Sequence, residues 1–193
     1  MSFLRAKNAK KILVVADLHN TLIDSTSAFA KAFLKLNSKL SMPDIEKRLL
    51  LKESRHKLAK EYKISYSKLL EEYSKQERIN KKLVRLLKIF KSIGMPIVVI
   101  TSSKGKRANL DRKYLEKYIK PDTFISNAVG KKGKARFWNN LVSSYHADFC
   151  LYIGNDTEED AISGKKMISL LNSEYVAKKF YRLCKGQSIK NAR

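Results

Sequence analysis

Three short apolar runs constrain this chain more than anything else in it: residues 12–16 (ILVVA), 97–100 (IVVI) and 149–153 (FCLYI). Each is too short for a stable helix, and each is apolar at every position rather than at every second one. A strand apolar on both faces is covered on both faces, which is the habit of a parallel sheet sandwiched by helices. Residues 123–126 (TFIS) and 167–171 (MISLL) are weaker strand candidates. Helical spacing fills the gaps. Ile79, Leu83, Leu86, Leu87 and Phe90 recur over 76–92, and Leu110, Tyr114, Leu115 and Tyr118 over 106–119. Phe137, Trp138, Leu141 and Val142 recur over 134–144. Strands alternating with helices imply right-handed crossovers. The expected fold is α/β, with a Rossmann-like, mostly parallel sheet and helices on both faces.

Sheets of this kind bind ligands at the carboxyl ends of their strands. The three main runs each lead into polar residues there: Asp17, Thr101 and, after Gly154-Asn155, Asp156. Residues 25–75 break the alternation. They show helical patterns at 26–36, 43–60 and 65–73 with no strand between them, and Pro43 suits a first helical turn after Ser41. We read a small inserted α-helical cap at 25–87 and a core of 1–24 plus 88–193. Phe29, Phe33, Tyr62, Tyr66 and Tyr73 in the insertion read as helix-packing residues rather than as a platform for stacked bases.

Composition narrows the partners. The chain carries 41 Lys+Arg against 18 Asp+Glu, a formal charge of +23. A field of that sign attracts nucleic acid, anionic lipid or phosphorylated substrates. Lysines scattered over solvated helix faces, such as Lys52, Lys57, Lys60, Lys81, Lys82 and Lys88, produce the same total, and no nucleic-acid-binding motif is present. Two cysteines, Cys150 and Cys184, and three histidines make neither a disulfide framework nor a zinc cluster. No apolar stretch approaches the roughly 20 residues that span a bilayer. The basic N-terminus followed by ILVVA is too short in its apolar part for a signal peptide. A cytoplasmic protein without a membrane partner is expected.

The segment VVADLHNTL at 14–22 delivers Asp17 to a strand tip, with Thr21 four residues on. Alone, it is a strand followed by an Asp/Asn/Thr turn. It is followed in order by IVVITSS, with Thr101 and Ser102, and by GKKGKARFW, with Lys131, Lys132 and Lys134. YIGNDTEEDAISGKK comes last, with Asn155, Asp156, Asp160 and Gly164. This ordered set, spread over about 150 residues, resembles the four motifs of the haloacid dehalogenase-like superfamily, which includes many phosphatases.

The resemblance implies a role for each residue. Asp17 would attack phosphorus and carry an aspartyl-phosphate. Mg²⁺ would sit on the Asp17 carboxylate, the backbone carbonyl of His19, and Asp156 and Asp160, with Asn155 beside them. Thr101, with Ser102 and Thr21, would contact the phosphoryl group. A lysine would neutralise developing charge; Lys132 is favoured, with Lys131 and Lys134 open. Two departures stand out. The superfamily's phosphatases usually place aspartate where this chain has His19, so acid–base work falls to an imidazole, to a slower route, or to nothing. Asn155 also replaces a frequent acid.

The expected function is therefore a Mg²⁺-dependent phosphomonoester hydrolase acting on a small phosphorylated metabolite beneath the cap. The alternatives are a nucleic-acid-end phosphatase or nucleic-acid-binding protein on the same fold, and a noncatalytic interaction protein.

Overall fold

The structure, a computed structural model, describes residues 11–132 and 134–154 and the backbone of 167–170. Strands β1 (Ile12–Asp17), β2 (Ile97–Ile100), β3 (Thr123–Ile125), β4 (Phe149–Ile153) and β5 (Met167–Leu170) form one sheet in the order β3-β2-β1-β4-β5. All four pairings are parallel. The chain order reverses direction at β1, which lies between β2 and β4. That reversal opens a crevice at the carboxyl end of β1, the usual place for a ligand in an open α/β sheet.

The pleat sends alternate residues to opposite faces, and each face has its own cover. Val14 and Ala16 of β1 and Ile97 and Val99 of β2 pack with Leu83, Leu86, Leu87 and Phe90 of helix α5 (Lys81–Ser92). Leu115 of α6 (Gly105–Glu116) joins the same cluster. Leu13, Val15, Val98 and Ile100 pack on the other side with Trp138 and Val142 of α7 (Ala135–Ser144). Buried apolar area on both faces explains why these strands read as continuous apolar runs.

Four helices stand between β1 and α5: α1 (Ser25–Leu36), α2 (Met42–Leu50), α3 (Arg55–Glu61) and α4 (Tyr66–Gln76). They hold an apolar cluster of their own, including Phe29, Phe33, Ile45, Leu49, Leu58, Leu69 and Tyr73. The Phe29 and Tyr73 rings stack at 4.0 Å, and Tyr62 meets Phe33 edge-on at 6.1 Å, so these aromatics pack helices.

Two helical expectations need correction. The pattern at 43–60 is two helices. Lys52 takes a left-handed φ of 61°, the Glu53 N–H turns back to the Arg48 carbonyl, and Ser54 caps α3 through the Lys57 N–H. Apolar spacing carried across this break because the two helices bury the same side. The helix expected from residue 76 starts at Lys81, because Asn80 caps it, accepting from the Leu83 N–H at 3.2 Å. Ile79 instead makes an isolated antiparallel bridge with Ile23, so the chain's exit from the core and its return run side by side. The expected boundary at 87/88 falls inside α5, whose apolar face packs with the sheet. No helix among the described residues is long and apolar enough to cross a membrane.

Candidate active site

Asp17 is the last residue of β1, opposite Ile100, and is 7% exposed. Lys132 reaches it from the loop before α7: its Nζ lies 2.5 Å from Asp17 Oδ1, and it is 6% exposed. The lysine is held from behind, since Trp138 Nε1 donates to the Lys132 carbonyl and Trp138 is buried against the sheet. Of the three lysines in this segment, Lys132 is the buried one; Lys131 and Lys134 are exposed, and Lys134 is the residue capping α7.

Thr101 follows β2 directly, beside Asp17 in the sheet, with no exposed surface. Its N–H donates to the Ile125 carbonyl and its carbonyl accepts from the Ala128 N–H, which fixes it between β3 and the loop beyond. Its Oγ1 accepts from the Ser103 N–H at 3.1 Å. Ser102, half-buried, points the chain out of the strand. Thr21 is buried in the turn after β1, where its carbonyl accepts from Asn80 Nδ2. Asn20 makes that turn possible. It adopts φ 57°, which asparagine tolerates, and its Oδ1 accepts from the Thr26 N–H and Ser25 hydroxyl, steering the chain into α1.

Asn155, Asp156, Asp160 and Gly164 lie outside the described residues. What is described is their starting point. Ala16 sits opposite Ile153 in the β1–β4 register, so the buried Gly154 follows β4 beside Asp17. Among the described residues no group of three metal-ligating side chains occurs. The Asp17 carboxylate is a described oxygen donor of the kind that suits a hard cation at this edge.

His19 enters a cluster that the sequence did not announce. Its Nε2 lies 2.6 Å from Ser103 Oγ and 3.1 Å from Asp111 Oδ2, and Arg107 approaches both ring nitrogens at 3.2 Å. Burial first, and the charge of Arg107 second, lower its pKa to about 4, the ordinary range of a carboxylate. Asp111 has no exposed surface and accepts from the Tyr73 hydroxyl at 3.1 Å. Burial alone would raise its pKa, but contact with His19 and the charge of Arg107 outweigh that and hold it below the usual value. Glu77, at the return from the cap, is pushed up to about 8 by burial and by its neighbour Asp111. The signal for Asp111 was present but easily passed over: on α6 it shares the buried face with Ala108 and Leu115, three and four residues away.

An open cleft of about 530 Å³ lies beside the two linkers, lined by Asn20, Thr21, Asp24, Thr26, Arg78 and Asn80 among others. Asp17, Thr101 and Lys132 do not line it.

A central strand carrying a buried aspartate, a neighbouring strand ending in threonine, a lysine on the aspartate and a helical insertion after the first strand form a recognisable arrangement. Solved structures share the fold that carries it. A HAD phosphatase from Thermococcus onnurineus is similar over 88% of this chain and 97% of its own, with a TM-score of 0.54 and 14% identity. A dehalogenase reaches 0.62 over 94% and 98%, at 13% identity. A HAD family hydrolase from Deinococcus radiodurans R1, solved with phosphate and sodium bound, reaches 0.58 over 89% of each chain, at 14% identity. The fold is that of the haloacid dehalogenase-like hydrolases. At these identities the likeness is one of fold. No protein-family model matches the sequence, and no characterised protein matches it at the level of sequence. Within the haloacid dehalogenase-like fold, the motif order seen in the sequence puts Asp17, Thr101 and Lys132 at one edge of the sheet.

Proposed function

We propose that the protein is a Mg²⁺-dependent phosphomonoester hydrolase that works through an aspartyl-phosphate on Asp17, with a small phosphorylated molecule as substrate. The observation that carries this reading is the buried contact between Asp17 and Lys132 beside Thr101. A buried carboxylate needs a compensating cation. Here that cation sits where charge would build up on a transferring phosphoryl group.

In the first step, an Asp17 carboxylate oxygen bonds to phosphorus and the ester oxygen departs with its electron pair. Lys132 offsets negative charge on the aspartate and on the phosphoryl oxygens, and the Thr101 hydroxyl donates to one of those oxygens. In the second step, water attacks phosphorus, inorganic phosphate leaves, and the Asp17 carboxylate returns. His19, two residues beyond the nucleophile, is the candidate acid–base group. Asp17, the His19 carbonyl and the acids after β4, Asp156 and Asp160 with Asn155, would hold Mg²⁺, which would supply Lewis-acid stabilisation of negative charge on the phosphoryl group. Lys134 and Ser102 fall to the rim of this arrangement. The cap seated over the edge favours a small leaving group over a macromolecular one.

The test is hydrolysis of an aryl phosphate by the full chain with Mg²⁺ and with chelator. Turnover should require the metal and fall at least about a thousandfold in Asp17→Asn, as expected for removal of a covalent nucleophile. Equal turnover by the parent and Asp17→Asn refutes the mechanism.

A further inference from the structure

Positive charge is unevenly placed on this fold. In the cap, acids stand among the cations and take some of them up: Arg48 meets Glu53 at 2.8 Å and Glu61 at 2.6 Å, and Lys75 meets Glu72 at 3.2 Å. No Asp or Glu stands between Glu77 and Asp111 in the chain. Helix α5 falls in that interval, and Lys81, Lys82, Arg85, Lys88 and Lys91 are all exposed on it. Its other side is apolar and closed, since Leu83, Leu86, Leu87 and Phe90 pack with the sheet. Lys81, Arg85 and Lys88 form no ion pair among the described residues. They recur at i, i+4 and i+7, which puts them in one stripe about 10 Å long.

A second helix widens the stripe into a face. Just before α5, the Glu77 carbonyl accepts from the Tyr114 hydroxyl of α6 at 2.7 Å. At the far end of α5, Lys91 Nζ donates to the Lys120 carbonyl at 2.6 Å and meets Asp122 at 3.1 Å. Helix α5 therefore lies along the second half of α6, and Leu115 and Ile119 join its apolar cluster. Lys113 and Lys117 are exposed there, with Lys117 Nζ held 5.6 Å from the centre of the Tyr114 ring. Glu116, the acid of this stretch, is taken up by Arg112 at 2.8 Å. Two neighbouring helices thus offer one cationic surface. A partner with regularly spaced negative charge matches it, and a stripe of about 10 Å spans about three phosphates of one strand of a duplex. An anionic bilayer matches it less well, because a helix that settles into a membrane inserts its apolar side, and here that side is buried against the sheet.

We infer that the joint face of α5 and α6 is a docking surface for the phosphodiester backbone of a nucleic acid, engaged through charge and not through base sequence. The surface is independent of the hydrolase reading, since it uses none of Asp17, Thr101 and Lys132. The test is fluorescence anisotropy of a labelled DNA duplex of about 20 base pairs, titrated with the full chain at salt from about 50 to about 200 mM. Affinity should fall steeply over that range. The triple variant Lys81→Gln/Arg85→Gln/Lys88→Gln should bind at least about tenfold more weakly at the lowest salt. Its log–log salt slope should be shallower by about 2–3, at roughly 0.9 for each phosphate contact removed. The control is Lys57→Gln/Lys60→Gln/Lys68→Gln, which takes the same charge from exposed cap lysines and should stay within about threefold of the parent. An equal loss in the two triple variants overturns the inference, because net charge rather than this face would then hold the duplex. An absence of duplex binding by the parent overturns it as well. Vesicles of phosphatidylcholine with phosphatidylserine supply the competing surface. Capture by these vesicles that is tighter than duplex binding and is lost in the α5 variant overturns the inference in favour of a membrane.

Discussion

Removing Lys132 tests whether the site is one electrostatic unit. At 2.5 Å, with an effective dielectric of about 20, opposite charges attract by roughly 6–7 kcal/mol. Desolvating each ion costs several kcal/mol, so the pair as a whole contributes little net stability. Breaking it is another matter. Lys132→Met leaves the Asp17 carboxylate, whose side chain is 10% exposed, without its nearest cation, and should destabilise the fold by about 3–5 kcal/mol. The Trp138 contact survives, because it is made to the main-chain carbonyl of residue 132. Asp17→Asn alone strands the ammonium and should also destabilise. The double variant Asp17→Asn/Lys132→Met removes both charges, and should be more stable than Lys132→Met by at least about 2 kcal/mol. Trp138, the single tryptophan, is 1% exposed and touches the site, so urea unfolding followed by its fluorescence reads the cycle directly. Effects that add to within about 0.5 kcal/mol would show that the two residues do not sense each other, and would remove the basis for treating Lys132 as the site lysine.

Glu77, pushed up to about 8, holds a proton in the folded state that it loses near its ordinary value of 4.5 when unfolded. Its contribution is therefore complete below about pH 4.5 and is lost as the pH rises through 8; Glu77→Gln should flatten this decline, and a melting-temperature gain no larger at pH 9 than at pH 5 would contradict the burial argument. Lys63 takes a left-handed φ of 55° just past α3, where the Ile64 N–H returns to the Ala59 carbonyl in the pattern that favours glycine. Lys63→Gly should stabilise the cap by about 0.5–1 kcal/mol in chemical denaturation, and a loss of stability would show that the lysine side chain contributes more than its backbone strain costs.

Much of the core was legible because burial on two faces leaves a blunt mark. Residues 97–100 and 149–153 are apolar throughout, and the strands found there match those limits. The register follows from the same alternation: Leu13 and Val15 cannot exchange sides with Val14 and Ala16 without moving between separate clusters. The break in 43–60 was hidden because apolar periodicity reports which side is buried, whereas Lys52 at φ 61° concerns the backbone and carries no hydrophobic signal. Motif order singled out Asp17 and Thr101 and favoured Lys132, and the fold buries Lys132 while leaving Lys131 and Lys134 exposed. Arg55, Glu77, Arg107 and Asp111 were missed for a related reason. In a chain with +23 charge, another charged residue on a helix reads as solvated surface, and only the meeting of α3, α6 and the linker turns these four inward.

These four residues also share one place in the fold. Among the described residues, Thr26 Oγ1, Arg55 Nε and Arg107 Nε are buried side-chain atoms without a hydrogen bond, while Asp111 Oδ2 meets His19 Nε2 at 3.1 Å and Glu77 neighbours Asp111. All belong to the helical insertion, its two linkers or α6, and Leu110 of α6 packs against the insertion's apolar cluster. An unsatisfied buried polar atom costs about 1–3 kcal/mol relative to one that reaches water. The insertion therefore meets α6 through polar and aromatic groups as well as through Leu110: Arg107 lies against the Phe29 ring and Asp111 accepts from the Tyr73 hydroxyl.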